Sequence, residues 1–109
     1  MAKDPAFLLR QRFLRIIRRN WQENNHSLTD IPCVYVILSL DYMAKEIDIA
    51  YVGSTIRLFS RYKSHKIPGK IQAKGLINLL YYLPMSKGFY DYEIKLIKKL
   101  QPEFNKAHK

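Results

Sequence analysis

Cysteine is almost missing from this 109-residue chain, with Cys33 as its single example. One thiol cannot close an internal disulfide, and no Cys/His cluster has zinc-ligand spacing, so Cys33 reads as a small buried apolar residue. Long apolar runs are missing too. No stretch approaches the roughly 20 residues that a membrane-spanning helix needs. The N-terminus also lacks the charge-then-apolar order of a secretory signal, so an intracellular, cytoplasmic, soluble protein with no membrane partner is expected. There is no internal repeat and no low-complexity tract. Acidic residues are scarce, nine against nineteen Lys/Arg, and the net charge is +10.

What is present fits one small domain. A hydrophobic content of 48% in 109 residues supports one modest core and no second one. The charge is unevenly spread, with a balance of +4 over residues 1–27, −3 over 28–53 and +9 over 54–109. A densely negative partner is implied, nucleic acid first and an anionic membrane surface second.

The first 27 residues read as a basic helix and loop, and residues 31–109 as the core of the domain. Asp4-Pro5 is an N-cap followed by proline at the first helical position, which predicts a helix over 5–23. Leu9, Phe13, Leu14, Ile16, Ile17 and Trp21 share one side of it, and Arg12, Arg15, Arg18 and Arg19 the other. Leu8 and Arg10 break that separation. Residues 24–27 read as a loop. Segments 33–40 and 47–53, rich in β-branched and aromatic residues, read as a hairpin. A short helix is expected over 57–66, capped by Thr55 and ended by Pro68-Gly69, with a basic loop over 70–75. The apolar run 77–83 suits strand or helix by periodicity, and its length and the closing Pro84 favour the strand. The predicted fold is α+β, a small mixed or antiparallel three-stranded sheet flanked by helices in the order α-β-β-α-β-α, including an extra N-terminal amphipathic helix.

The last helix, residues 88–101, carries the most informative side chain. Its apolar stripe is Phe89, Leu96, Ile97 and Leu100, and Glu93 falls on that stripe. An inward carboxylate is held by a cation, by hydrogen bonds or by a raised pKa, because burying it unpaired costs several kcal/mol, roughly. The bland reading is a rim Glu paired with a nearby Arg or Lys.

Cys33-Val34-Tyr35, then Tyr51-Val52-Gly53-Ser54-Thr55, then Arg61 and His65, then Glu93 and Asn105, together resemble the GIY-YIG nuclease superfamily. The resemblance spans 33–105, and the ending EIKLIKKLQPEFN is similar to that of the nuclease module in the bacterial excision-repair incision subunit. Cys33 stands where the name-giving glycine does. A hairpin symmetric about Met43 would set Tyr35 directly opposite Tyr51.

The resemblance implies a metal-dependent endonuclease. Tyr35, Tyr51, Arg61, His65, Glu93 and Asn105 would form the site, with Tyr51 reactive, Tyr35 its hydrogen-bonding partner and Asn105 orienting. Glu93 would ligate one divalent cation, Mg²⁺ or Mn²⁺. A two-metal mechanism would need more convergent carboxylates than this chain offers. Arg61 and His65 lie one turn apart and form an anion-binding pair, with His65 a phosphate contact or proton acceptor and Arg61 alternatively a salt-bridge partner of Glu93. Duplex or branched DNA is the expected partner. Arg12, Arg15, Arg18, Arg19, Arg57, Lys63, Lys66, Lys70 and Lys74 are the candidate contacts. No target-selecting domain is evident, so a protein partner could supply targeting. A monomer is expected, the apolar side of the first helix being the one plausible dimer surface. The competing reading is a non-catalytic nucleic-acid-binding module on the same fold.

Overall fold

The strand Cys33–Asp41 organises the molecule. Its first six residues are all buried, which requires cover on both faces. A computed structural model describes residues 4–24 and 29–109; part of the 24–27 loop therefore lies outside the described residues. In chain order the elements are α1 (Pro5–Asn20), β1 (Gln22–Glu23), β2 (Cys33–Asp41), β3 (Glu46–Thr55), α2 (Leu58–Lys63), α3 (Ile67–Ala73), β4 (Ile77–Pro84) and α4 (Phe89–Leu100). The fold is α+β with an antiparallel sheet ordered β1-β4-β2-β3. No described helix is long and apolar enough to cross a membrane.

One sheet face, with Val34, Val36, Leu38, Ile49 and Val52, packs against Phe13, Leu14, Ile17 and Trp21 of the first helical segment and Leu96, Ile97 and Leu100 of α4. The other face sets Cys33, Tyr35, Ile37 and Leu80 against Leu58 of α2 and Ile67 and Ile71 of α3. Alternation along β2 feeds both layers, as a strand's two-residue period dictates. Burial pushes the Cys33 thiol up to about 12, in keeping with an inert core residue.

Several expectations are corrected. The sheet has four strands rather than three, because the chain leaves α1 at Asn20 and Gln22–Glu23 pairs with Tyr82 and Tyr81 on the free edge of β4. Pro68 does not stop a helix. It sits in the first turn of α3, where its missing N–H costs nothing, so much of the supposed basic loop is helical. The short helix is trimmed to Leu58–Lys63. Its exposed N-terminus is held by Asp30, whose carboxylate accepts from the Ser60 N–H at 2.8 Å and the Ser60 hydroxyl at 2.9 Å. Thr55 accepts the Arg57 N–H at 3.0 Å instead of serving as the N-cap. The apolar face of α1 is buried in the core, which removes the dimer surface proposed for it. Ile16 is the member of that stripe that stays exposed.

The hairpin register also differs. Tyr35 lies opposite Gly53, and Ile37 opposite Tyr51. The turn displaces the pairing by one residue from a hairpin centred on Met43, and a bulge that leaves Ala50 unpaired displaces it by one more. One slip would have turned Tyr51 to the wrong face; two restore it. Ala50 and Tyr51 consequently both join the α2/α3 side, while Ile49 and Val52 face α1 and α4.

Arg10, which interrupts the separation of faces in α1, is buried. Its Nε donates to Asp48 Oδ1 at 2.7 Å and its Nη2 to Oδ2 at 3.3 Å, while Nη1 donates to the carbonyls of Leu100 at 2.8 Å and Gln101 at 3.3 Å. The guanidinium thus satisfies carbonyls left over at the end of α4 and places a positive charge at the negative end of that helix. Gln101 adopts φ 50°, the left-handed turn that ends α4. Replacing Arg10 with Met should cost about 3 kcal/mol, because Asp48 and the helix-end carbonyls lose their partner. Lys should recover little of it, lacking the planar fork. Urea denaturation of the two variants checks this.

Candidate active site at the outer edge of the sheet

β3 is an edge strand, and the predicted site residues gather around its end from both faces. Gly53 begins the arrangement. A Cβ there would lie 2.5 Å from both Cζ and Oη of Tyr35, so the tyrosine ring lies across the glycine. The glycine of the Tyr-Val-Gly tripeptide is needed here for close approach, not for its backbone angles.

Tyr35 is buried, and its Oη lies 3.0 Å from His65 Nε2. His65 Nδ1 accepts the backbone N–H of Ile67 at 3.2 Å. An amide N–H can only donate, so in the neutral imidazole the proton sits on Nε2 and is donated to Tyr35. Burial, followed by the nearby Arg61 charge, lowers the His65 pKa to about 4. His65 is therefore a neutral donor to the phenol at physiological pH, with neither nitrogen free to accept a proton. Tyr51 completes an aromatic trio. Its ring stands 4.8 Å from His65, nearly perpendicular at 82°, and 6.2 Å from Tyr35. Tyr35 thus pairs with His65, not with Tyr51 as expected.

Burial raises the Tyr35 pKa first. The neighbouring Tyr51 and Glu93 raise it further, whereas Arg61 opposes them with its charge and a hydrogen bond. Arg61 itself is exposed on α2, a cation at the rim of the trio.

Glu93 approaches from the other face on α4. The Ser54 hydroxyl donates to its Oε1. Burial raises the Glu93 pKa, opposed by that hydrogen bond and by the charge of His108. No described residue makes an ion pair with Glu93, so the Arg61–Glu93 salt bridge does not form. Of the three ways to hold an inward carboxylate, a hydrogen bond and a raised pKa are the ones seen.

Tyr51 and Glu93 line one open cleft of about 340 Å³, together with Lys70, Phe104, Lys106 and His108. The chain after α4 forms one wall of it. Phe104 N–H donates to the Ala50 carbonyl at 3.0 Å. The Asn105 side chain accepts from the Val52 N–H and donates to the Val52 carbonyl, both at 2.9 Å. Asn105 is thus buried against the free edge of β3, where it takes the place of a neighbouring strand.

Of the predicted basic contacts, Arg57, Lys63, Lys66 and Lys70 are exposed on or beside α2 and α3, as are Arg12, Arg15, Arg18 and Arg19 on α1. Lys74 differs. It pairs with Glu103 and lies over the Phe104 ring, which neutralises it. Two positioning residues escaped the sequence reading, Ser54 and Arg10. Ser54 was signalled by alternation from Val52, once the strand face was known.

The donor set suits a hard cation that keeps most of its waters. Glu93 presents carboxylate oxygens to a cleft, and its Oε2 has no hydrogen-bond donor among the described residues. No group of three or more His, Cys, Asp or Glu converges among the described residues.

No protein-family model, curated protein or solved structure matches the chain.

The depressed His65 pKa makes a signed prediction. The unfolded histidine titrates near 6.5 and the folded one near 4, so the unfolded state binds more protons between them. Stability from this group is full above about pH 6.5 and is lost as pH falls through 4. Substituting His65 by Gln should remove that part of the acid loss. Thermal melts of both proteins from pH 7 to pH 4 should converge at the acid end; parallel curves would contradict the assignment.

Proposed function

We propose that the protein is a GIY-YIG-type endonuclease that hydrolyses DNA phosphodiester bonds with one divalent cation, Mg²⁺ or Mn²⁺. The observation that carries this reading is the shared cleft of Tyr51 and Glu93, backed by Arg61, His65 and Tyr35. A half-buried carboxylate and a phenol in one cleft with Lys70 and Lys106, and a guanidinium beside the neighbouring Tyr35 and His65, are groups of the kind that phosphodiester hydrolysis needs.

Glu93 is the residue that would hold the ion, with Ser54 fixing the carboxylate. When bound, the cation stabilises negative charge on the phosphoryl oxygens and makes water more acidic. Tyr51, the cleft-lining phenol, would first lose its own hydroxyl proton to solvent in the open cleft and then, as the phenolate, take the proton of the attacking water. A phenol with a reference pKa near 10 is a weak base at neutral pH, so cations beside it matter. Arg61 stabilises anionic oxygen on the phosphate and offsets part of the rise in the Tyr35 pKa, and Lys70 holds the strand in the cleft. Tyr35 is too buried to meet substrate. It packs Tyr51 in place and is itself held by the His65 N–H. Asn105 orients the site by holding the free edge of β3 at Val52.

Plasmid relaxation tests this. Supercoiled DNA should be nicked with Mg²⁺ or Mn²⁺ and stay intact with chelator. Glu93→Ala should abolish cleavage yet bind DNA almost as wild type. Arg61→Ala should lose about a hundredfold in rate, with poor rescue by Lys. One metal site positions one scissile phosphate, so nicked circles should precede linear product. Binding by wild type with no cleavage under any metal would assign the chain to the non-catalytic module instead.

A further inference from the structure

A second basic surface lies toward the hairpin turn, on the sheet face that α1 and α4 cover. α1 and β3 enclose a groove of about 310 Å³ lined by Gln11, Leu14, Arg15, Arg18, Lys45 and Ile47. The Gln11 side-chain amide donates to the Ile47 carbonyl at 2.7 Å and ties the two walls together. No carboxylate lines the groove. Neither Arg15, Arg18 nor Lys45 forms an ion pair with a described residue. Arg12 and Arg19, though exposed on the same helix, do not line it.

An apolar recess adjoins this groove, sharing Lys45 and Ile47 with it and adding Leu40 and Tyr42. Tyr42 is 74% exposed and Met43 beside it 93%. Their turn is fixed. Asp41 Oδ1 accepts the N–H groups of Met43 at 3.1 Å and Ala44 at 3.0 Å, and Lys45 takes the left-handed φ of 54° that returns the chain to β3. A tyrosine is thus held out in water in the same recess as Lys45, with Arg15 and Arg18 in the adjoining groove.

We propose that this groove and the Tyr42 recess form a binding site for a single-stranded stretch of nucleic acid, with phosphates on Arg15, Arg18 and Lys45 and an unpaired base stacked on Tyr42. Alternating cation and exposed aromatic is the chemistry that takes a strand whose bases are free. In a duplex the base faces are already stacked, so Tyr42 has nothing to receive. Ile47 and the cleft-lining Tyr51 stand four positions apart on β3, which places this site roughly 13 Å from the cleft at strand rise. It would therefore hold an overhang, flap or displaced strand while the cleft holds another part of the same molecule. The inference rests on the nucleic-acid part of the proposed function and not on cleavage.

The test uses full-length Glu93→Ala protein in chelator, so that no cleavage enters, with fluorescein-labelled oligothymidylate followed by anisotropy. Arg15→Gln/Arg18→Gln is compared with the charge-matched pair Arg12→Gln/Arg19→Gln. The first should weaken binding at least about tenfold more than the second. Tyr42→Ala should weaken it about tenfold, and Tyr42→Phe should bind as the parent. A blunt duplex of equal length should be indifferent to Tyr42→Ala. Equal losses for the two arginine pairs, or no loss for Tyr42→Ala, would overturn the proposal; so would a duplex that loses as much as the single strand. Arg12, Arg15, Arg18, Arg19 and Tyr42, the side chains that differ between arms, are all exposed, so the fold of the Glu93→Ala parent is kept in every arm. Binding that behaves as proposed beside a wild type inert on plasmid would leave this site standing and the nuclease reading fallen.

Discussion

A buried guanidinium must have all its needs met inside the protein, and Arg10 meets them by drawing three separate elements together. Its fork takes the Asp48 carboxylate of β3 on one side and the last carbonyls of α4 on the other. Fixing the end of α4 fixes the helix axis, and Glu93 lies two turns back along it. The same anchor sets where the chain turns at Gln101 and begins its return along β3. The N-terminal helix thus belongs to the machinery that holds the site in place, while its exposed arginines remain available for a partner. A Lys at position 10 could supply the charge but not two parallel donors to Asp48 together with a third to Leu100.

The edge of β3 poses the second constraint. An unpaired strand edge exposes backbone groups that invite another chain. Here Phe104 and the Asn105 amide occupy them, and the segment that does so also walls the cleft. Edge protection and site construction are one feature. This explains why the Asn lies so far along the chain from the tyrosines. Its role is to match the donor and acceptor of Val52, which a primary amide can do with both atoms at once and a carboxylate cannot.

Much of the fold could be read from the chain. The hairpin, the strand before Pro84, the first helix and the stripe of α4 all followed from periodicity and caps. The failures share a cause, namely that tertiary partners decided. Pro68 fits helix start and helix stop equally well from local sequence, and only packing of Ile67 and Ile71 under the sheet selects the start. Gln22–Glu23 carries no strand signal; it becomes one because β4 offers an edge. The bulge at Ala50 is invisible in a single sequence, and only together with the one-residue shift at the turn does it keep the face of Tyr51 while changing its neighbour. Arg10 looked like an error in an amphipathic pattern because its partners are 38 and 90 residues away. The residues named for the site do gather around one edge of the sheet, but which group bonds which depended on register. That is why Tyr35 pairs with His65 and why Ser54 went unnoticed.

The placement of the proposed site across two sheet faces has an electrostatic logic. Burial disfavours charge on both Tyr35 and Glu93, and each would raise the other's pKa further if both ionised without a cation nearby. The sheet edge separates them, one carried over the α2/α3 face and the other on α4, while leaving Tyr51 between them at the cleft. Arg61 serves the Tyr35 phenol and Ser54 the carboxylate, so neither partner has to be shared. The cleft therefore retains an under-neutralised carboxylate next to basic side chains. Such a site suits a ligand that brings both signs of charge, as the phosphodiester and divalent counterion proposed for it would.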